Sequence, residues 1–183
     1  VSRARVQRLS FTGDLGYEIY VPAREQVALF KTLTAAGADL GLRPFGMRAM
    51  MSLRLEKSFG AWLREYRPDY RPQEVALGRF VAYDKAADFI GKAAAMAELS
   101  AGPERRLCTF VVDADDADAC GDEPIWIDDQ VQGFVTSGGF AHYVEKSVAL
   151  GFVPVAQAVE GLKVEIEILG DRRPAYLSTG VLF

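Results

Sequence analysis

Histidine and cysteine are nearly missing from these 183 residues, which hold one of the first and two of the second. A recognisable zinc site draws three or four ligands from such residues at fixed spacing, and His142, Cys108 and Cys120 do not supply one. The separation of the two cysteines fits no redox motif, so both read as reduced, structural thiols. A lone imidazole leaves little room for a histidine-centred triad. His142 follows the glycine-rich stretch of "TSGGFAHYV" and reads as an ordinary loop or strand-end residue. Long apolar runs are missing as well. None approaches the roughly 20 residues of a membrane span, and "VSRARVQRL" at the N-terminus has no signal-peptide core. These absences predict a cytoplasmic chain with no membrane partner. Blocks of one charge are also lacking: 21 basic residues stand against 25 acidic, a net of −4 without a polybasic arm, which disfavours nucleic acid as a partner.

What is present is apolar material. Half of the chain is hydrophobic, enough at this length for one sizeable core or two small ones. The chain opens without methionine on strand-like sequence and closes on the apolar "STGVLF", which reads as a piece of something longer.

The stretch "RLSFTGDLGYEIYVP" alternates as a hairpin does, with Leu9 and Phe11 before the turn "TGDLG" and Tyr17, Ile19 and Val21 sharing one face after it. Glu18 and Tyr20 then lie on the other face. A glutamate is an unusual strand residue, so Glu18 is either wetted by solvent or holding something. Pro22 closes the strand, and "AREQVALFKTLTAAG" predicts an amphipathic helix with Val27, Phe30 and Leu33 near one face and Gly37 as its stop. A second helix from Pro44 onward carries two stripes at four-residue spacing, Met47, Met51 and Leu55 apolar, Arg48, Ser52 and Glu56 polar. Spacing alone favours a solvated face for the polar stripe and core filler for the methionines.

Prolines 68 and 72 then forbid a continuous helix, and Trp62, Tyr66 and Tyr70 alternate with arginines in a segment that either lines a pocket or is pinned to the surface by its rings. "VALGRFVAY" reads as a strand and "ADFIGKAAAMAEL" as a short helix beginning after Asp88. Periodicity fades in "AAAMAELSAGPERR", which puts a boundary near residue 103. Beyond it six short strand-like segments, from "RLCTFVVDA" to "RPAYLSTGVLF", are separated by turns rich in Asp and Gly and predict a small antiparallel barrel. Glu165 and Glu167 of "VEIEILG" fall on its wet face. The fold class is α+β, with residues 1–103 as an α/β region and 104–183 as the barrel.

Several motifs occur in a fixed order: "FTGDLGYEIYVP", "GMRAMMSLRLEKSFGAWLREY", "PQEVALGRFV", "DFIGKAA", "GDEPIW", "GFVTSGG" and "ALGFVP". In that order they resemble the folate-binding C-terminal portion of dimethylglycine and sarcosine dehydrogenases, which is similar to the glycine-cleavage aminomethyltransferase, the T-protein. The resemblance covers nearly the whole chain. It implies a partial T-protein-like folate-binding α/β domain followed by a small β-barrel, the last part of a three-domain fold around a central channel. It also implies tetrahydrofolate as cofactor and the remainder of the parent chain, a first folate domain and an FAD domain, as partner. FAD belongs to that absent part, since no dinucleotide fingerprint occurs here.

The same resemblance assigns Glu18, the glutamate of the "TG-x-x-G-x-E" motif, to the pterin. The chemistry agrees, because a pterin presents an amino group and a ring N–H side by side and a carboxylate accepts both. Tyr20 shares its face. Among arginines that could hold the folate tail, Arg48, Arg54 and Arg64, the choice is Arg48, within the "G-x-R-A-x-x-S-L-R" pattern of the dehydrogenase group. T-proteins carry their ligand-binding arginine two residues before the corresponding serine, where this chain has Met50, which favours the dehydrogenase branch. Trp62 and Tyr66 are candidates to stack on the pterin or aminobenzoyl ring. The aspartate that manages the folate proton in the family has no counterpart here, so the isolated chain is expected to bind folate weakly and not to turn over. Two other readings keep the fold: a stand-alone T-protein-like aminomethyl or methyltransferase, and a structural module whose channel has decayed.

Overall fold

A computed structural model of the chain describes residues 3–182. The chain divides into two compact units, Val1–Arg54 and Leu55–Phe183. The first unit opens with an antiparallel ribbon of β1 (Arg5–Gln7) and β2 (Glu18–Tyr20), in which Gln7 pairs with Glu18 and Arg5 with Tyr20. Both strands are shorter than the alternation predicts. Residues 11–15 bend instead of extending, and Gly13 at φ 87° takes up a backbone angle that other residues avoid. A 3-10 turn at Ala23–Glu25 leads into α1 (Gln26–Ala36), and the N–H of Gly37 donates to the Leu33 carbonyl at 2.9 Å, the predicted stop. The predicted stripe of α1 is present but uncovered: Val27 is 64% exposed and Phe30 62%. A helix of this length draws most of its stability from packing such a face.

Helix α2 (Met47–Glu56) runs from the first unit into the second. Its last turn is buried, with Leu55 clustered against Ala141, Val148 and Leu150. Here the solvated-face expectation fails at Glu56, which has no exposed surface and accepts the Tyr143 N–H at 2.7 Å. The strand expected at "VALGRFVAY" is absent. A 3-10 turn at Gly78–Phe80 replaces it, because Ala76 has φ 58° and the Gln73 side chain occupies the space beside Gly78. Helix α3 (Lys92–Ala101) begins later than Asp88, after Gly91 at φ 90°.

All six predicted C-terminal strands form: β3 (Arg105–Val112), β4 (Pro124–Ile127), β5 (Gln130–Ala141), β6 (Lys146–Pro154), β7 (Lys163–Ile168) and β8 (Asp171–Ser178). They close into an antiparallel barrel in the order β3-β6-β5-β4-β7-β8. Two-residue turns join β4 to β5 at Asp128–Asp129 and β7 to β8 at Leu169–Gly170, all four residues at positive φ. Such turns match the right-handed twist of the strands they connect. Phe110, Ile125, Val135, Ala149, Ile166 and Leu177 fill the interior. A side chain at Gly133 would sit 2.1 Å from the Phe152 carbonyl oxygen, so the close approach of β5 to β6 requires glycine there. Outside, Glu167 accepts the Trp126 indole N–H at 2.9 Å and Glu165 lies 3.5 Å from Arg172. The fold is therefore an α/β N-terminal region followed by a closed six-stranded antiparallel barrel. Among the described residues no helix is long and apolar enough to cross a membrane.

Candidate functional site

In the first unit the ribbon register sets Glu18 and Tyr20 on one face, as the period of two requires. The Tyr20 phenol donates a hydrogen bond to Glu18 Oε2. That bond, with a smaller desolvation effect, holds the Tyr20 pKa above its ordinary value. Glu18 is half-buried and Tyr20 50% exposed. Tyr20 also lines a cleft of about 520 Å³ between β2 and α1, with Ile19, Leu29 and Phe30. Glu18 is not among the lining residues of that cleft; its contact there is the hydrogen bond from Tyr20, which is. Arg48 stands exposed in the first turn of α2.

The other two arginines of the sequence reading behave differently. Arg54 is 2% exposed. Arg64 spends its guanidinium on backbone, donating through Nη1 to the carbonyls of Cys120 at 3.3 Å and Thr136 at 3.2 Å. Among the described residues, Arg48 is the one of the three that is exposed without such a tie to main chain.

In the second unit Trp62 and Tyr66 come together through an isolated bridge and line one cleft of about 230 Å³ with Tyr70, Pro68 and Pro72. Trp62 is 78% exposed and Tyr66 half-buried, with its hydroxyl accepting the Gly60 N–H at 3.2 Å. Tyr70 is held from behind by Phe152, ring centroids 4.3 Å apart, and by the Arg105 guanidinium 5.0 Å from its own ring centre. Three aromatic walls in a space of that size suit a single flat ring system. Roomier clefts of about 700 and 720 Å³ contain none of the five predicted site residues, so size alone does not choose the site.

The sequence reading missed three glutamates that the structure buries, Glu65, Glu74 and Glu98. Glu65 lies against the aromatic cleft and accepts hydrogen bonds from the Ala61 N–H at 2.7 Å and the hydroxyls of Thr136 and Ser137 at 2.6 and 2.5 Å. Consecutive hydroxyls on a barrel strand were the available signal, but turning both toward one partner takes a strand irregularity that periodicity does not reveal. The two thiols are free: burial pushes the Cys108 pKa up to about 11 against the opposing pull of Arg106, while Cys120 is exposed. Among the described residues no cluster of His, Cys, Asp and Glu is placed to hold a metal ion.

Comparison with known proteins agrees with this architecture. Residues 1–85 match the family described as the GCVT N-terminal domain, and residues 105–183 match the glycine cleavage T-protein C-terminal barrel domain. Human mitochondrial dimethylglycine dehydrogenase is 42% identical over 170 residues, covering 93% of this chain and 20% of that protein. Aminomethyltransferase from Symbiobacterium thermophilum is 36% identical over 165 residues, covering 90% of this chain and 44% of that protein. The crystal structure of glycine cleavage system aminomethyltransferase T from Bartonella henselae aligns with a TM-score of 0.88 at 29% identity, over 100% of this chain and 50% of that one. The chain thus spans a fifth to a half of the proteins it matches. The cytoplasmic expectation is overturned here. The human, mouse and rat dimethylglycine dehydrogenases are mitochondrial, so the missing apolar leader in these residues assigns no compartment.

Proposed function

We propose, from the chain's homology to the glycine cleavage T-protein and aminomethyltransferase family, that it is the tetrahydrofolate-binding portion of a T-protein-like one-carbon transferase. The observation that carries the reading is the Glu18 carboxylate, half-buried on β2 and already accepting an O–H donor from Tyr20. A carboxylate in that state is suited to the paired donors of a pterin, which would compete with or join the phenol. In the second unit Trp62 and Tyr66 supply ring faces in a cleft of about 230 Å³. Arg48, exposed on α2, is the cation for the glutamyl carboxylates. Tetrahydrofolate supplies the nitrogen that takes up the one-carbon unit. On this reading Glu18 and Arg48 in the first unit and Trp62 and Tyr66 in the second are the residues assigned to it, each within its own unit.

The uncovered apolar stripe of α1 supports a larger multidomain setting, because the remainder of a T-protein-like chain would cover it.

A second reading places the chain in a dimethylglycine or sarcosine dehydrogenase, where an FAD domain elsewhere would oxidise the N-methyl amine and the folate would capture the product as 5,10-methylene-tetrahydrofolate. The identity of 42% to human dimethylglycine dehydrogenase, against 36% to the aminomethyltransferase, supports it, as does Met50 at the T-protein arginine position.

The test is thermal unfolding of the full-length protein with and without tetrahydrofolate, since a ligand bound only by the native state raises the midpoint. Arg48→Ala should shrink the shift and Glu18→Ala should nearly abolish it. A midpoint that tetrahydrofolate leaves unmoved contradicts the reading and favours a structural module.

A further inference from the structure

We propose that Glu65 is the positioning residue of the aromatic cleft: its buried carboxylate uses a bulge in β5 to hold the Trp62 ring where a flat conjugated ring stacks on it. The ligand class rests on the reading of Trp62 and Tyr66 as folate-stacking residues. The clamp itself rests on geometry.

The loop from Gly60 to Tyr66 is folded back on itself. The Ala61 carbonyl accepts the N–H groups of Arg64, Glu65 and Tyr66, and the Ala61 N–H donates to Glu65 Oε2 at 2.7 Å. Leu63, at the tip, has φ 67° and is 72% exposed. A branched residue in the left-handed region is strained, and such strain persists only where the surroundings over-determine it. Trp62 beside it has no core of its own, at 78% exposed, so the ring's placement comes from the loop backbone.

Glu65 supplies the over-determination. Its Oε1 accepts both the Thr136 and the Ser137 hydroxyls, at 2.6 and 2.5 Å. Neighbouring residues of a regular strand point to opposite faces, so one oxygen cannot collect both. The pairing of β5 with β6 shifts register between Val135 and Ser137, and the resulting bulge brings the two hydroxyls to one side. The same bulge is gripped by Arg64, whose Nη1 reaches the Thr136 carbonyl at 3.2 Å. Gly121 leaves room for that guanidinium, since a side chain there would lie 2.8 Å from Nη1. Two adjacent loop residues therefore fasten to one irregular point of the barrel, one through a carboxylate and one through a guanidinium. A ring held in this way loses little further freedom when a ligand stacks on it, which is where the gain in affinity arises.

The experiment uses full-length protein labelled with 5-fluorotryptophan, in which the resonance lost in Trp62→Phe identifies Trp62 and that lost in Trp126→Phe identifies Trp126. Glu65→Gln keeps the size of the side chain but replaces one acceptor oxygen by a donor. It is expected to broaden or shift the Trp62 resonance, leave Trp126 in place, and weaken tetrahydrofolate binding about tenfold. Ser137→Ala should move both readouts in the same direction by less, and it carries the test should Glu65→Gln fail to fold. A variant that lowers the melting temperature while the Trp62 resonance and the folate affinity stay at wild-type values overturns the proposal, because Glu65 is then structural only. If wild-type protein does not bind tetrahydrofolate, the folate reading fails and the clamp is decided by the Trp62 resonance alone. If Trp62→Ala loses affinity while Glu65→Gln keeps it, the folate reading stands and the positioning role is refuted.

Discussion

Glu74→Ala should cost the chain about 2–4 kcal/mol, and the structure shows how that sum is made. Glu74 is 6% exposed, with Oε2 accepting the Arg71 N–H at 2.8 Å and Oε1 the Arg105 Nε–H at 2.9 Å. A hydrogen bond from a backbone N–H to a charged acceptor contributes roughly 1.5–3 kcal/mol. The ion pair adds less, because the Arg105 side chain is 37% exposed and solvent screens it, leaving roughly 0.5–1 kcal/mol. Glu74→Gln retains an acceptor for the Arg71 N–H and should cost only about 1 kcal/mol. Urea unfolding followed by Trp126 fluorescence measures each variant, and a double-mutant cycle with Arg105→Met isolates the pair, for which roughly 0.5–1 kcal/mol is expected. Equal costs for Ala and Gln, or a coupling above about 2 kcal/mol, would refute this division. The segment at stake carries Tyr70, and it is tied to β3 by the Leu107 N–H donating to the Glu74 carbonyl at 2.7 Å, so loosening it should also open the aromatic cleft.

Three further outcomes follow from the same geometry. Ile166→Ala removes three carbons from a site with no exposed surface and should cost about 3–4 kcal/mol, read as a lower denaturation midpoint with unchanged slope. Cys108, its thiol pushed up to about 11 by burial, should resist alkylation of the native chain at neutral pH while the exposed Cys120 reacts, as peptide mass mapping would show. Tyr20 should titrate above an ordinary tyrosine because its phenol donates to Glu18, so the stability it contributes is complete at neutral pH and lost as pH rises through the elevated value. Glu18→Gln should bring that titration down in an NMR experiment with labelled tyrosine, and an unmoved Tyr20 would remove the hydrogen bond from the account.

The barrel was legible because its strands alternate cleanly and its turns carry Asp or Gly at positive φ, as at Asp128, Asp129 and Gly170, although Leu169 takes the same region without such a signal. The placement of Glu18 and Tyr20 on one face was legible for the same reason, a period of two. Less regular features were not. "VALGRFVAY" has strand-like composition, yet Ala76 at positive φ and the Gln73 side chain beside Gly78 turn it into a 3-10 segment, a tertiary decision invisible to local propensity. Glu56 lies on a polar stripe, but burial of the last turn of α2 puts it inside, where the Tyr143 N–H meets it. Glu65 escaped notice because its partners, Thr136 and Ser137, are some seventy residues distant in sequence and meet it only through a bulge.

In the proposed function the Glu18 carboxylate is the group that recognises a reduced pterin. Isothermal titration of tetrahydrofolate into the full-length protein and into its Glu18→Gln variant measures that recognition. A carboxylate that accepts two donors predicts affinity at least tenfold weaker for the amide, about 1.4 kcal/mol or more. Equal affinities for the two proteins would contradict it.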